Sequence, residues 1–129
     1  MREENLALMK RGYQAFSNGD LDTIRAIAHE DEVWTTPGLA EFKPEYHGVD
    51  DVIGYLTKLA ETTDGTFKDE PEAFFADDDR VTVIEHVTAA RKGRTLDTHF
   101  IHVYDIRDGK VSRVTEYAAE PKKAEEFWA

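Results

Sequence analysis

The chain of 129 residues predicts an α+β fold, with helices packed on the concave face of a curved, mainly antiparallel sheet. Three observations predict it. Amphipathic helical runs fill most of the chain up to Glu61, interrupted by one short β-like pair. From Thr66 to Glu116 the pattern changes to long β-like runs. Two junctions in that second part, Lys92-Gly93-Arg94 and Arg107-Asp108-Gly109-Lys110, carry tight-turn chemistry.

Residues 3–17 place Leu6, Met9, Tyr13 and Phe16 at helical spacing, and Asn18-Gly19 supplies the stop. Asp20 can cap a second, short helix that buries Leu21, Ile24 and Ile27. Val33-Trp34-Thr35-Thr36 reads as a strand that ends at the turn signal Pro37-Gly38. Leu39 to Tyr46 is ambiguous between loop and a short edge strand broken by Pro44. His47-Gly48 leads into a third helix, about Val49 to Glu61, which buries Val52, Tyr55, Leu56 and Leu59. Thr66 to Ala76 reads as a strand in which Pro71 marks a bulge or an edge position. Asp77-Asp78-Asp79 turns the chain into three more strands, and Pro121 to Ala129 reads as a short helix docking Phe127 and Trp128.

The turns assign registers. Asp108-Gly109 as a two-residue type I′ turn pairs Arg107 with Lys110 and sets Ile101 opposite Glu116. Gly93-Arg94 as the other turn pairs Lys92 with Thr95 and sets Ile101 opposite His86. One row across the sheet then reads His86, Ile101, Glu116, and the next reads Thr88, His99, Ala118. With strands about 4.8 Å apart, His86 and Glu116 would stand roughly 10 Å apart at the backbone and converge over Ile101. His102 falls on the opposite face, with Phe100 and Tyr104, in an outer face or a dimer interface.

Bulk properties narrow the classes. One domain spanning 1–129 is expected, large enough for its own core. The chain has no cysteine, so disulfide and thiolate chemistry are excluded, which suits a cytoplasmic protein. A net charge of −11 disfavours nucleic acid and anionic membrane as partners. No apolar run approaches the roughly 20 residues of a membrane span. His99 and His102 lie on opposite faces, and no other cluster of ligating side chains converges, so neither a metal nor another cofactor is expected.

Three segments carry a family resemblance: Tyr13 to Asp22, Val33 to Gly38 continuing to Tyr46-His47-Gly48, and His102 to Val111. In order and spacing they resemble the nuclear transport factor 2-like superfamily, in its SnoaL-like branch. The resemblance implies a cone-shaped α+β barrel around an apolar pocket, in a homodimer formed through the outer sheet face. Ketosteroid isomerases of this superfamily use an Asp base before Pro, an oxyanion-hole Tyr and a protonated Asp. Those positions fall on Thr36, Gly12 and Ile101, so that mechanism is absent. Limonene-epoxide hydrolases use an Asp-Arg-Asp set, which falls on Thr88, His86 and Glu116. SnoaL-type polyketide cyclases, with His and Asp, are similar in residue type.

The expected pocket is therefore lined by Trp34, Thr36, Ile84, His86, Thr88, His99, Ile101, Val103, Val114 and Glu116, with Tyr13 reaching in from the first helix. His86 is the candidate proton carrier, Glu116 its orienter or partner base, and His99 a second base or substrate-oxygen ligand. Trp34, Thr36, Thr88, Ile101, Val103 and Tyr13 are candidate ligand-binding residues. The function this predicts is cofactor-independent acid/base chemistry of the isomerase, cyclase or hydrolase type on a small apolar molecule. The alternative is a non-catalytic protein that binds such a molecule, or an interaction module that uses the outer face. The competing structural account of His86 and Glu116 is a buried ion pair that only positions the sheet.

Overall fold

Helical periodicity and turn chemistry between them lay out the chain in the computed structural model, which describes residues 1–39 and 41–129. Ala40, inside the segment read as loop or edge strand, lies outside the described residues. The elements run α1 (Arg2–Ser17), α2 (Leu21–Ala26), β1 (Ala28–Thr35), β2 (Glu45–His47), α3 (Val49–Thr62), β3 (Lys68–Ala76), β4 (Arg80–Arg91), β5 (Arg94–Arg107), β6 (Lys110–Ala118) and α4 (Pro121–Trp128). Asp20 caps α2 by accepting a hydrogen bond from the Thr23 N–H. Ile24 and Ile27 are buried, whereas Leu21 stands 40% exposed at the start of α2, against the expectation. No helix among the described residues is long and apolar enough to cross a membrane.

Among the described residues, six strands form one sheet in the order β2-β1-β6-β5-β4-β3. Among the described residues only β1 and β6 run parallel, so the sheet is mixed but mainly antiparallel. Helix α1 packs on β3 and β4, α3 on β1 and β2, and α4 on β5. Side chains from α1 and α3 reach the same sheet face: Tyr13 bonds to Glu85 of β4 and Tyr55 to Glu116 of β6. That shared face holds the core. Phe127 and Trp128 of α4 are buried, each worth about 2 kcal/mol of transfer free energy. Pro71 sits both on an edge strand and at a register shift, where a missing ladder N–H costs least.

Two local events reset the registers that the turns implied. The β4–β5 turn is Lys92-Gly93, with both residues at positive φ (48° and 75°), so Arg91 pairs with Arg94. The turn begins one residue earlier than Gly93-Arg94. This moves the β4–β5 pairing by two positions, setting His86 opposite His99 and Ile84 opposite Ile101. A shift of two keeps every side chain on its face.

The β5–β6 turn is Asp108-Gly109, at φ 52° and 74°, and Arg107 pairs with Lys110 as expected. A β-bulge follows at once. Ile106 pairs with Val111 but Asp105 pairs with Arg113, leaving Ser112 without a partner in β5. One extra residue moves each side chain after it to the other face of the sheet. Glu116 therefore lies opposite His102 and not opposite Ile101. The row His86, Ile101, Glu116 does not exist.

Candidate functional site

The inward face of β4 carries Val81, Val83, Glu85, Val87 and Ala89, all buried, so one carboxylate interrupts an apolar row. On β5 the inward set is Leu96, Thr98, Phe100, His102 and Tyr104. The bulged β6 contributes Val114 and Glu116. On β1 the same alternation turns Glu32, Trp34 and Thr36 inward. These strands wall a cavity of about 110 Å³, closed by apolar side chains of α1, α2, α3 and α4.

His102 is the centre of its polar side. Its Nε2 lies 2.9 Å from Glu85 Oε1 and 3.8 Å from Glu116 Oε1, while its Nδ1 lies 3.0 Å from the Tyr104 hydroxyl. Tyr104 is 2.6 Å from the Tyr13 hydroxyl, which in turn bonds Glu85 Oε2. Hydrogen bonds thus run from Glu85 through Tyr13 and Tyr104 to His102, whose Nε2 closes the circuit as an ion-pair contact with Glu85. The hydrogen-bonded chain can run in either direction. In one, His102 is an imidazolium that donates to Tyr104, Tyr104 donates to Tyr13, and Tyr13 donates to ionised Glu85. In the other, Glu85 holds the proton and the chain runs in reverse to an uncharged His102. Both carry the same total charge.

Glu116 is oriented separately. Trp34 Nε1 and the Tyr55 hydroxyl both donate to its Oε1, each at 2.6 Å. Among the described residues no group bonds its Oε2. Burial raises its affinity for a proton, opposed by the His102 charge and by the two donors. Burial likewise pushes Glu85 up to about 7, against hydrogen bonds from Tyr13 and Asp69. Asp69, beside Glu85, is held well above the usual carboxylate range by burial and then by the Glu85 charge. Glu32 is pushed up to about 8 by burial. The phenols of Tyr13, Tyr55 and Tyr104 are all raised, burial being the largest cause, so they stay protonated donors.

Of the residues singled out in the sequence, Tyr13, Trp34, Thr36 and Glu116 line this cavity. Thr36 is committed to the loop, donating to Lys43 O at 2.7 Å and accepting from the Gly38 N–H at 3.0 Å. His86, Thr88, His99, Ile101 and Val103 lie on the outer sheet face, half-buried, for the odd-even reason set by β4 and β5. There His86 and His99 stack with ring centroids 5.2 Å apart, bonded to Asp97 and Glu72 at 2.6 and 2.9 Å. Ile84 shares that face too, while Val114 points inward as expected. Conversely, His102, Phe100 and Tyr104, assigned to the outer face, are inside. The signal that finds Glu85 and His102 is the apolar alternation itself: Val81, Val83 and Val87 on one strand, and Leu96, Phe100 and Tyr104 on the next. Among the described residues no group of three or more His, Cys, Asp or Glu has the geometry to hold a metal ion.

Residues 9–114 match the SnoaL-like domain family. The chain is similar to the uncharacterized protein Rv0034 of Mycobacterium tuberculosis, 29% identical over 128 residues that cover 98% of each chain. It is also similar to Bal32a, from a soil-derived mobile gene cassette, with a TM-score of 0.95 and 30% identity over 99% of this chain and 98% of that one. TerC, co-crystallized with polyporic acid, shares the fold with a TM-score of 0.84 at 22% identity, covering 98% of this chain and 99% of TerC.

Proposed function

Given that the chain belongs to the SnoaL-like domain family, we propose that its cavity performs cofactor-independent acid/base chemistry on a small, mainly apolar molecule. The observation that carries this reading is the asymmetric bonding of Glu116. Trp34 and Tyr55 hold one oxygen, leaving Oε2 without a partner among the described residues, and the residue lines the cavity with His102 3.8 Å from the held oxygen. A carboxylate fixed in this way, with its basicity raised by burial, is arranged to take a proton from a carbon acid. The circuit of His102, Tyr104, Tyr13 and Glu85 can supply a proton to the substrate oxygen and redistribute the remaining ones. Glu85, pushed up to about 7, holds and releases a proton in the range where such a relay operates.

A volume of about 110 Å³ is below the roughly 150 Å³ of an engineered apolar cavity that takes benzene, so the cavity limits its ligand to about one small ring. Proton abstraction next to a carbonyl is common to isomerisation and aldol-type cyclisation, and it can be assayed without knowing the natural substrate. Deuterium incorporation into cyclopentanone in D2O, followed by NMR, should run faster with the protein than in buffer alone. Glu116→Gln should slow it at least about a hundredfold, the scale of a general base, while the ketone still binds. Binding without any acceleration would refute catalysis and leave sequestration of the ligand as the function.

A further inference from the structure

Four carboxyl groups line the cavity, Glu32, Asp69, Glu85 and Glu116, with a single histidine and, among the described residues, no lysine or arginine. Three of them have neighbours. Glu85 takes a bond from Tyr13 and pairs with His102, Glu116 takes bonds from Trp34 and Tyr55, and Asp69 lies against Glu85 although its Oδ1 is buried without a partner. Glu32 is different. Its residue is 3% exposed, it lines the cavity, and its carboxyl has no hydrogen bond or ion pair among the described residues. It stands two residues before Trp34 on the inward face of β1, about 7 Å along the strand.

An unpartnered carboxyl at that depth is costly when ionised, and a polar group so placed marks a position that something else completes. A carboxylate or phosphate on the ligand would meet four acids and no fixed cation there. A protonated amine would meet a vacant acceptor, drawn in by a chain of net charge −11. We propose that the cavity selects a small ring-bearing amine, its ring against the apolar wall and its nitrogen paired with Glu32. This rests on the cavity being a ligand site, as argued above, and names the class of molecule it takes. Glu32 would then be a recognition residue, separate from the Glu116–His102 pair.

Three single-ring probes separate the possibilities: benzylamine, benzyl alcohol and benzoate, titrated at pH 8 by calorimetry and by quenching of tryptophan fluorescence. Benzylamine should bind at least about tenfold more tightly than benzyl alcohol, the scale of one buried charge pair, and benzoate should bind more weakly than either. Glu32→Gln should remove that advantage and leave benzyl alcohol affinity within about twofold; Glu32→Leu, which keeps no polar atom, should give the same pattern. The comparison of amine with alcohol in the unmodified protein needs no variant to fold. Equal affinity for the amine and the alcohol would overturn the proposal while leaving the cavity a ligand site. An amine advantage that survives both Glu32 substitutions would also overturn it. Failure of all three probes to bind would overturn both this proposal and the reading of the cavity.

Discussion

Glu32→Gln has a second consequence, readable in stability without any ligand. Burial moves the Glu32 carboxyl from 4.5 to about 8, and no partner offsets it. Between those values the folded state binds more protons than the unfolded state, so stability falls as pH rises through the window. At pH 5 the shift costs the folded state about 1 kcal/mol, and at pH 8 about 4 kcal/mol, taking 1.36 kcal/mol per unit. Glutamine does not titrate. The stability of Glu32→Gln minus that of the unmodified protein should therefore grow by about 3 kcal/mol from pH 5 to pH 8. The contributions of Glu85, Asp69 and Glu116 are present in both proteins and cancel in the difference. Urea denaturation followed by tryptophan fluorescence at each pH supplies the measurement. A difference that stays flat across the window would refute the account of Glu32 as an unpaired buried acid.

Deleting Ser112 should straighten β6 and turn Glu116 outward, costing about 3 kcal/mol or more and abolishing ketone exchange; a variant of unchanged stability and activity would contradict the role given to the bulge. On the outer face, the hydrogen bond that His86 donates to Asp97 raises the His86 pKa. The pair therefore adds stability that is present below the ordinary imidazole value and is lost as pH rises through the folded one. NMR titration of Asp97→Asn should show His86 falling back toward the ordinary value, and an unchanged titration would contradict the pairing. Asp20→Ala removes the cap on α2 and should lower stability by about 1 kcal/mol in thermal melts; no change would mean that α2 is held by packing alone.

The helices were legible in the sequence because their information is local. Val52, Tyr55, Leu56 and Leu59 announce one buried stripe, and Asp20 announces a cap, with no reference to distant chain. The tail helix was readable for the same reason, through Phe127 and Trp128. The strand registers were less so, since each depends on which residue of a glycine turn comes first. Asp108-Gly109 places glycine second, as a type I′ turn does, and the β4–β5 turn does the same with Lys92-Gly93 at the cost of a positive φ for lysine.

The bulge at Ser112 was not legible at all. It adjoins β1, whose pairing with β6 jumps from Ala28 opposite Val111 to Val33 opposite Arg113, so two neighbouring strands are irregular at the same level. Such an irregularity is set by the pairing of residues some 80 positions apart and leaves no mark in the local run Val111-Ser112-Arg113. Its effect on the site is large. The sequence points to Glu116 but gives it the wrong neighbour: His102 shares its face, and His86 and His99 do not.

Cyclopentanone exchange, measured side by side in three variants, tests the central claim most directly. With Glu116 as base and His102 in the proton relay, Glu116→Gln and His102→Gln should each lose the acceleration while retaining ketone binding. His86→Ala, altered only on the outer face, should keep it. Loss of exchange in His86→Ala together with full activity in His102→Gln would contradict the account.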